Sequence, residues 1–152
     1  MAEDKYVELA RKTIENYIVD GELLQVPAEL PDEMLRTRAG AFVSLAQEII
    51  CNAISAATSD PRFEPVRKDE LEDLEISVDV LKEAEKIESL AQLDVKRYGV
   101  IVTKGWRRGL LLPDLDGVDT PLEQVQIALM KAGLSQNEKG YTLERFEGIR
   151  HT

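Results

Sequence analysis

The chain is poor in the residues that most often carry chemistry: it has one cysteine, one histidine and one tryptophan, and aromatic residues make up 5% of it. A single cysteine, Cys51, excludes an internal disulfide and fits a reducing compartment. A single histidine, His151, cannot build a usual zinc site without further cysteine or histidine ligands. Positive charge is also scarce. Lys and Arg number 19 against 29 Asp and Glu, a formal net charge of −10 over 152 residues. Such a surface repels phosphate backbones, so nucleic-acid binding is an unlikely role without a local cluster of cations. No apolar run approaches the roughly 20 residues of a membrane span. The start, Met1-Ala2-Glu3-Asp4-Lys5, lacks the basic head and apolar stretch of a signal peptide. These shortages describe a cytoplasmic protein with no membrane association and no indicated metal or cofactor.

What is present is an ordinary foldable composition, 43% apolar and 32% charged. The length predicts one domain, residues 1–152, large enough to bury a sizeable core. There is no internal repeat and no low-complexity run.

The organising stretch runs from Ala46 to Phe63. Ala46, Ile49, Ile50, Ala53, Ile54 and Ala57 fall at helical spacing and make one apolar stripe. Asp60-Pro61 stops that helix, because the residue before a proline leaves the α region. Upstream, Tyr6, Leu9, Ala10, Thr13, Ile14, Tyr17 and Ile18 predict a helix over about 4–19, with acids at its start and Gly21 as its C-terminal cap. A helical turn fits 31–35. Residues 41–45 read as a buried strand after Gly40. That strand would enter the next helix with no connecting residues, where compact domains usually use about 2–6.

Downstream, Leu74, Ile76, Val78 and Val80 alternate with polar residues and predict a half-buried strand. Residues 82–98 are polar, with a short helical turn near 88–93. Val100-Ile101-Val102 and Leu110-Leu111-Leu112 read as strands joined by Thr103-Lys104-Gly105-Trp106-Arg107-Arg108-Gly109, a hairpin with a basic tip. Gly105 and Gly109 would supply positive φ there. Thr120-Pro121-Leu122-Glu123 is a helix start with a capping box, and Leu122, Val125, Leu129 and Ala132 would face the core up to Gly133. Residues 141–150 read as a final strand. Strands and helices mix without regular alternation. The predicted fold class is therefore α+β, a mixed or antiparallel sheet packed with about three to four helices.

Each chemical candidate has a plain alternative. Cys51 lies mid-helix, away from the helix N-terminus or cation that would activate a thiolate, and reads as structural. His151 reads as part of a disordered tail. Asp69, Glu70, Glu72, Asp73 and Glu75 lack calcium-loop spacing and read as a solvated acidic face. Lys104, Trp106, Arg107 and Arg108, extended by Lys96 and Arg97, would hold an anionic ligand or a partner's carboxylates; otherwise they are a solvated turn. Asp60, Arg62 and Phe63 either line a cleft or lock a corner by an ion pair.

Five segments in order, Gly40 to Leu45, Asn52 to Ala57, Asp60 to Phe63, Leu74 to Val78 and Arg108 to Pro113, resemble the AMMECR domain family, whose bacterial members are called AmmeMemoRadiSam system protein A. The resemblance spans most of the chain. It implies a mixed α/β fold, a cytoplasmic setting, and association with a Memo-like protein and a radical S-adenosylmethionine enzyme. It also allows that the chain is the C-terminal part of a longer Memo-like fusion. No reaction comes with it. The family's Arg-Gly-Cys-Ile-Gly segment has no counterpart here, and its place falls between Leu45 and Ala46, at the abrupt junction already noted. Cys51 does not take that cysteine's role. Trp106 also departs from the family, which often has glycine there. The expectation is a ligand- or partner-binding component of that system. The alternatives are an enzyme using a cysteine nucleophile in a loop missing after Leu45, with Arg62 steadying an anionic substrate, and, more weakly, a nucleic-acid-associated factor.

Overall fold

The structure is a computed structural model that describes residues 3–38 and 42–152. Among these residues it is α+β. Helices α1 (Lys5–Asp20), α2 (Asp32–Leu35) and α3 (Leu45–Thr58) come first, followed by strands β1 (Val78–Leu81), β2 (Glu85–Ile87), β3 (Gly99–Lys104) and β4 (Arg107–Leu111). Helix α4 (Pro121–Lys131) and strands β5 (Thr142–Phe146) and β6 (Gly148–His151) complete the order. Four strands pair antiparallel in the order β2-β5-β3-β4, and β1 pairs with β6 in a separate two-stranded sheet. The chain divides into two compact units, one formed by Met1–Val78 with Arg150–Thr152 and the other by Asp79–Ile149.

In the first unit α1 packs on α3. The predicted α1 stripe is buried at Leu9, Ala10, Thr13 and Ile14, joined by Val7, while Tyr17 and Ile18 are half-buried. Thr13 is fully buried, and its hydroxyl donates back to the Leu9 carbonyl at 2.7 Å, so no polar group is left unpaired there. Asp4 caps the start, accepting from the Tyr6 and Val7 N–H groups, and Gly21 ends the helix at φ 69°. Met34 on α2 is fully buried.

Of the strand expected over 41–45, the described residues 42–45 form only an isolated bridge, Ser44 to Thr37. Gly40 and Ala41 lie outside the described residues. Phe42 and Val43 are exposed, and Ser44 is the N-cap of α3, its hydroxyl accepting from the Gln47 N–H at 3.2 Å. A serine before an apolar helical stripe favours the cap over continued extension. Leu45 and Ala46 therefore belong to one uninterrupted helix, and Ser44 supplies the turn chemistry that the junction had lacked. All the predicted α3 stripe except the half-buried Ile54 is buried, with Leu45 added.

In the second unit α4 packs on β3 and β4. Val100, Val102 and Leu111 meet Val125, Ala128 and Leu129 in one core. Each of the valines and leucines contributes roughly 1.5–3 kcal/mol of burial. Gly109 does not take a positive φ; it is a strand residue paired with Val102. A Cβ there would lie 2.0 Å from the Ala128 carbonyl oxygen, so glycine is what lets α4 approach the sheet. Thr120 caps α4 as predicted, its hydroxyl accepting from the Glu123 N–H at 3.2 Å. The Glu123 carboxylate accepts from that hydroxyl at 3.0 Å, in place of the backbone N–H bond that the predicted capping box would use. Leu122 is 55% exposed and is not a core residue; Gln124 and Ala128 are buried instead.

Three strand boundaries shift. The alternation over 74–78 is real in burial, but β1 begins only at Val78. The polar stretch 82–98 contains β2 as well as the expected turn, at Leu90–Gln92. The final strand is two, β5 and β6. His151, expected in a disordered tail, sits in β6 with its ring stacked on Tyr6 at 3.9 Å.

Candidate functional site

The Asp60–Phe63 corner belongs to the first unit. The Phe63 N–H closes a turn onto the Asp60 carbonyl at 3.2 Å, and the Val66 N–H returns to Ala57 at 2.9 Å. Arg62 clasps Asp60 with both arms: its Nε lies 3.1 Å from Oδ1 and its Nη2 2.8 Å from Oδ2. Those bonds hold the Asp60 carboxyl down at about 2. The guanidinium also lies over the exposed Phe63 ring at 5.4 Å. The ion pair of this corner is thus internal, between Arg62 and Asp60.

The hairpin tip belongs to the second unit. Lys104 pairs with Arg107 across a two-residue turn, Gly105-Trp106. Gly105 has φ 61° and Trp106 a negative φ, the sign pattern of a type II′ turn. The turn holds the Trp106 side chain 86% exposed. The four cations around it are not equivalent. Lys104 donates to the Glu138 carboxylate and to the Lys139 carbonyl, and its ammonium holds the Glu138 carboxyl below the usual range. Arg107 stacks on Trp106 at 5.0 Å and donates to the Gly133 carbonyl just past the C-terminus of α4, where the helix dipole favours a cation. Lys131 donates to the Leu110 carbonyl at 2.7 Å. The exposed Arg108 side chain has no hydrogen-bond or ion-pair partner among the described residues.

Lys96 and Arg97 do not extend this patch. They precede β3, whose length of roughly 20 Å separates them from the tip. Lys96 lies 3.5 Å from Asp114, and Arg97 lies 3.4 Å from Glu147 and over Tyr98.

Arg67 answers part of the acidic segment, meeting Asp69 at 3.1 Å and Glu70 at 3.9 Å. Among the described residues no group of three or more His, Cys, Asp or Glu side chains is placed to hold a metal. Cys51 is exposed, with the Gln47 side-chain amide 3.4 Å from its sulfur. No helix among the described residues is long and apolar enough to cross a membrane.

One cluster had no local signal in the sequence. Tyr6 donates to Glu33 at 2.7 Å and stacks on His151, and His151 meets Asp4 at 2.9 Å. Its members come from three separate parts of the chain.

Comparison with known proteins supplies relatives. A Thermotoga maritima protein is 44% identical over 172 aligned positions covering 99% of each chain. A Clostridium acetobutylicum protein is 44% identical, but the chain spans only 36% of its length. The crystal structure of an uncharacterized protein from Pyrococcus horikoshii matches with a TM-score of 0.86 at 28% identity, covering 95% of this chain and 88% of that one. The AMMECR1 family model matches residues 44–151. With most of its length so matched, the chain belongs to the AMMECR1 family.

Proposed function

We propose that this domain is a cytoplasmic partner- or ligand-binding component of a system with a Memo-like protein and a radical S-adenosylmethionine enzyme. The observation that carries the binding role is the hairpin tip. A type II′ turn holds the chain's one tryptophan in solvent beside Arg108, while Lys104 and Arg107 are bonded internally. Tryptophan and arginine together are the composition of binding hot spots. The longer Clostridium relative supports a domain that works covalently joined to others. Affinity capture of a Memo-like protein from the same organism tests the reading. Capture that is lost on Trp106→Ala supports it, and no capture with or without candidate small ligands overturns it.

A second reading is favoured by chain length. The Thermotoga alignment has 172 positions and this chain 152 residues, so at least 20 positions hold residues only in the relative. In this reading they include the Arg-Gly-Cys-Ile-Gly segment that the family resemblance leads one to expect after Leu45. A cysteine in that segment would be a nucleophile in the relatives, and this chain would be a binding module trimmed of it. Alkylation kinetics at neutral pH test the idea. A thiol in the Thermotoga protein that reacts faster than free cysteine supports it, and one that reacts no faster defeats it.

A further inference from the structure

We infer that the outer edge of β4 is a docking strand for an extended acidic segment of a partner protein. The inference rests on the partner-binding reading and names the partner's chemistry.

Strand β4 ends the order β2-β5-β3-β4, so among the described residues one side of its backbone has no strand neighbour in that sheet. The register decides which groups face that side. A two-residue turn makes Lys104 and Arg107 a hydrogen-bonded pair, so Gly109 bonds to Val102 in turn. Arg108 and Leu110 then direct their N–H and C=O groups away from β3. The Leu110 carbonyl is met by the Lys131 ammonium at 2.7 Å, a contact that agrees with this assignment. A lysine laid across an edge is a common guard against unwanted strand pairing. The N–H groups of Arg108 and Leu110 and the Arg108 carbonyl remain available to an incoming strand.

Charge selects the occupant. Arg108 brings a guanidinium with no partner among the described residues to this edge, and Lys131 brings an ammonium that an incoming N–H would release from Leu110. Carboxylates at alternate positions of the added strand share one face, and on the face away from α4 they would meet Arg108, whose side chain points opposite to the α4-facing Gly109. Trp106 offers its ring to an apolar side chain at the end of the segment. The chain's net charge of −10 opposes an acidic ligand at long range. Screening limits that opposition to about 8 Å at physiological salt, so the local cations dominate at contact.

Trp106, the one tryptophan of the chain, is a built-in reporter. The probe is a blocked peptide of about eight residues alternating Glu and Val, titrated against the full chain while Trp emission is read. The expected result is a saturable blue shift that weakens at least about tenfold in three cases: Gln replacing Glu, a central proline in the peptide, and Arg108→Gln in the protein. Arg108→Lys restores part of it. Thermal unfolding of Arg108→Gln, an exposed position, confirms that the variant is folded. No shift up to about 1 mM peptide overturns the proposal. So does equal binding of the proline peptide, which shows charge attraction without strand addition. A shift that appears on concentrating the protein alone also overturns it, because the edge then takes a second copy. Capture of the Memo-like protein with a silent peptide titration would sink this inference and leave the binding role intact.

Discussion

His151 Nδ1 lies 2.9 Å from Asp4 Oδ2, a contact across 147 positions of sequence that ties β6 to the start of α1. The other Asp4 oxygen accepts from the Tyr6 and Val7 N–H groups, so one carboxylate both caps the helix and holds the histidine. Burial pushes the Asp4 carboxyl up, but the bonds from His151 and the two backbone N–H groups outweigh it, and the net shift is downward. A depressed folded value means stabilisation that is present above the ordinary 3.8 and lost as pH falls through the folded value. Asp4→Ala should cost more than the ~1 kcal/mol of a lost cap, and the excess over Ala at His151-substituted background should vanish. Denaturant unfolding of both single variants and the double variant at pH 7 and pH 3 checks this.

The neighbouring Tyr6 makes an alkaline prediction. Burial and the hydrogen bond to Glu33 push its phenol up to about 12 from 10.0. The protonated phenol therefore contributes stability below pH 10, and that contribution is lost as pH rises through the folded value. Ultraviolet difference titration should show one late-ionising tyrosine that becomes earlier in Glu33→Gln.

Ser44→Ala tests where α3 begins. If Ser44 is the cap, the substitution should cost about 1 kcal/mol in chemical unfolding, and Ser44→Asp should restore most of it. Were 41–45 a strand, alanine would change little and aspartate would destabilise.

Two glycines of the β-hairpin should respond differently. Gly109→Ala places a Cβ 2.0 Å from backbone of α4 and should cost at least about 1–3 kcal/mol, because neither element can move aside cheaply. Gly105→Ala meets nothing within 4 Å and should cost only about 1 kcal/mol, for its positive φ. Thermal unfolding of the two variants ranks them.

At the Asp60–Phe63 corner, Arg62→Gln should return the Asp60 carboxyl from about 2 toward 3.8. Carbon-detected titration of the carboxyl group reads the change. The pair favours the folded state above the ordinary carboxylate value and stops doing so as pH falls toward 2. Because both groups are solvated, the melting temperature at pH 7 should hardly move.

Local chemistry made α1 and α4 legible: a capping side chain, an apolar stripe and a closing glycine all lie within one segment. The same is true of the β3–β4 hairpin, whose turn glycine and flanking apolar runs are adjacent. The strand expected at 41–45 failed because so short a run, four apolar residues and one serine, carries no helix-or-strand preference, and the deciding residue, Ser44, acts through its side chain. Strand β2 gave no signal, since Glu85 and Lys86 are exposed and only Ile87 is buried. The basic tip could be read as a cluster, but not which of its charges were already committed. Glu138, Gly133 and Leu110, which engage Lys104, Arg107 and Lys131, are brought there by the fold.

The contact between Asp4 and His151 also bears on synthesis. Residues 79–149 form their unit from contiguous sequence, so its hairpin and α4 can assemble as they leave the ribosome. The first unit includes Arg150–Thr152, so α1, although made first, waits through the whole of the second unit before His151 supplies its contacts to Asp4 and Tyr6. The order of translation is thus the reverse of the order of completion.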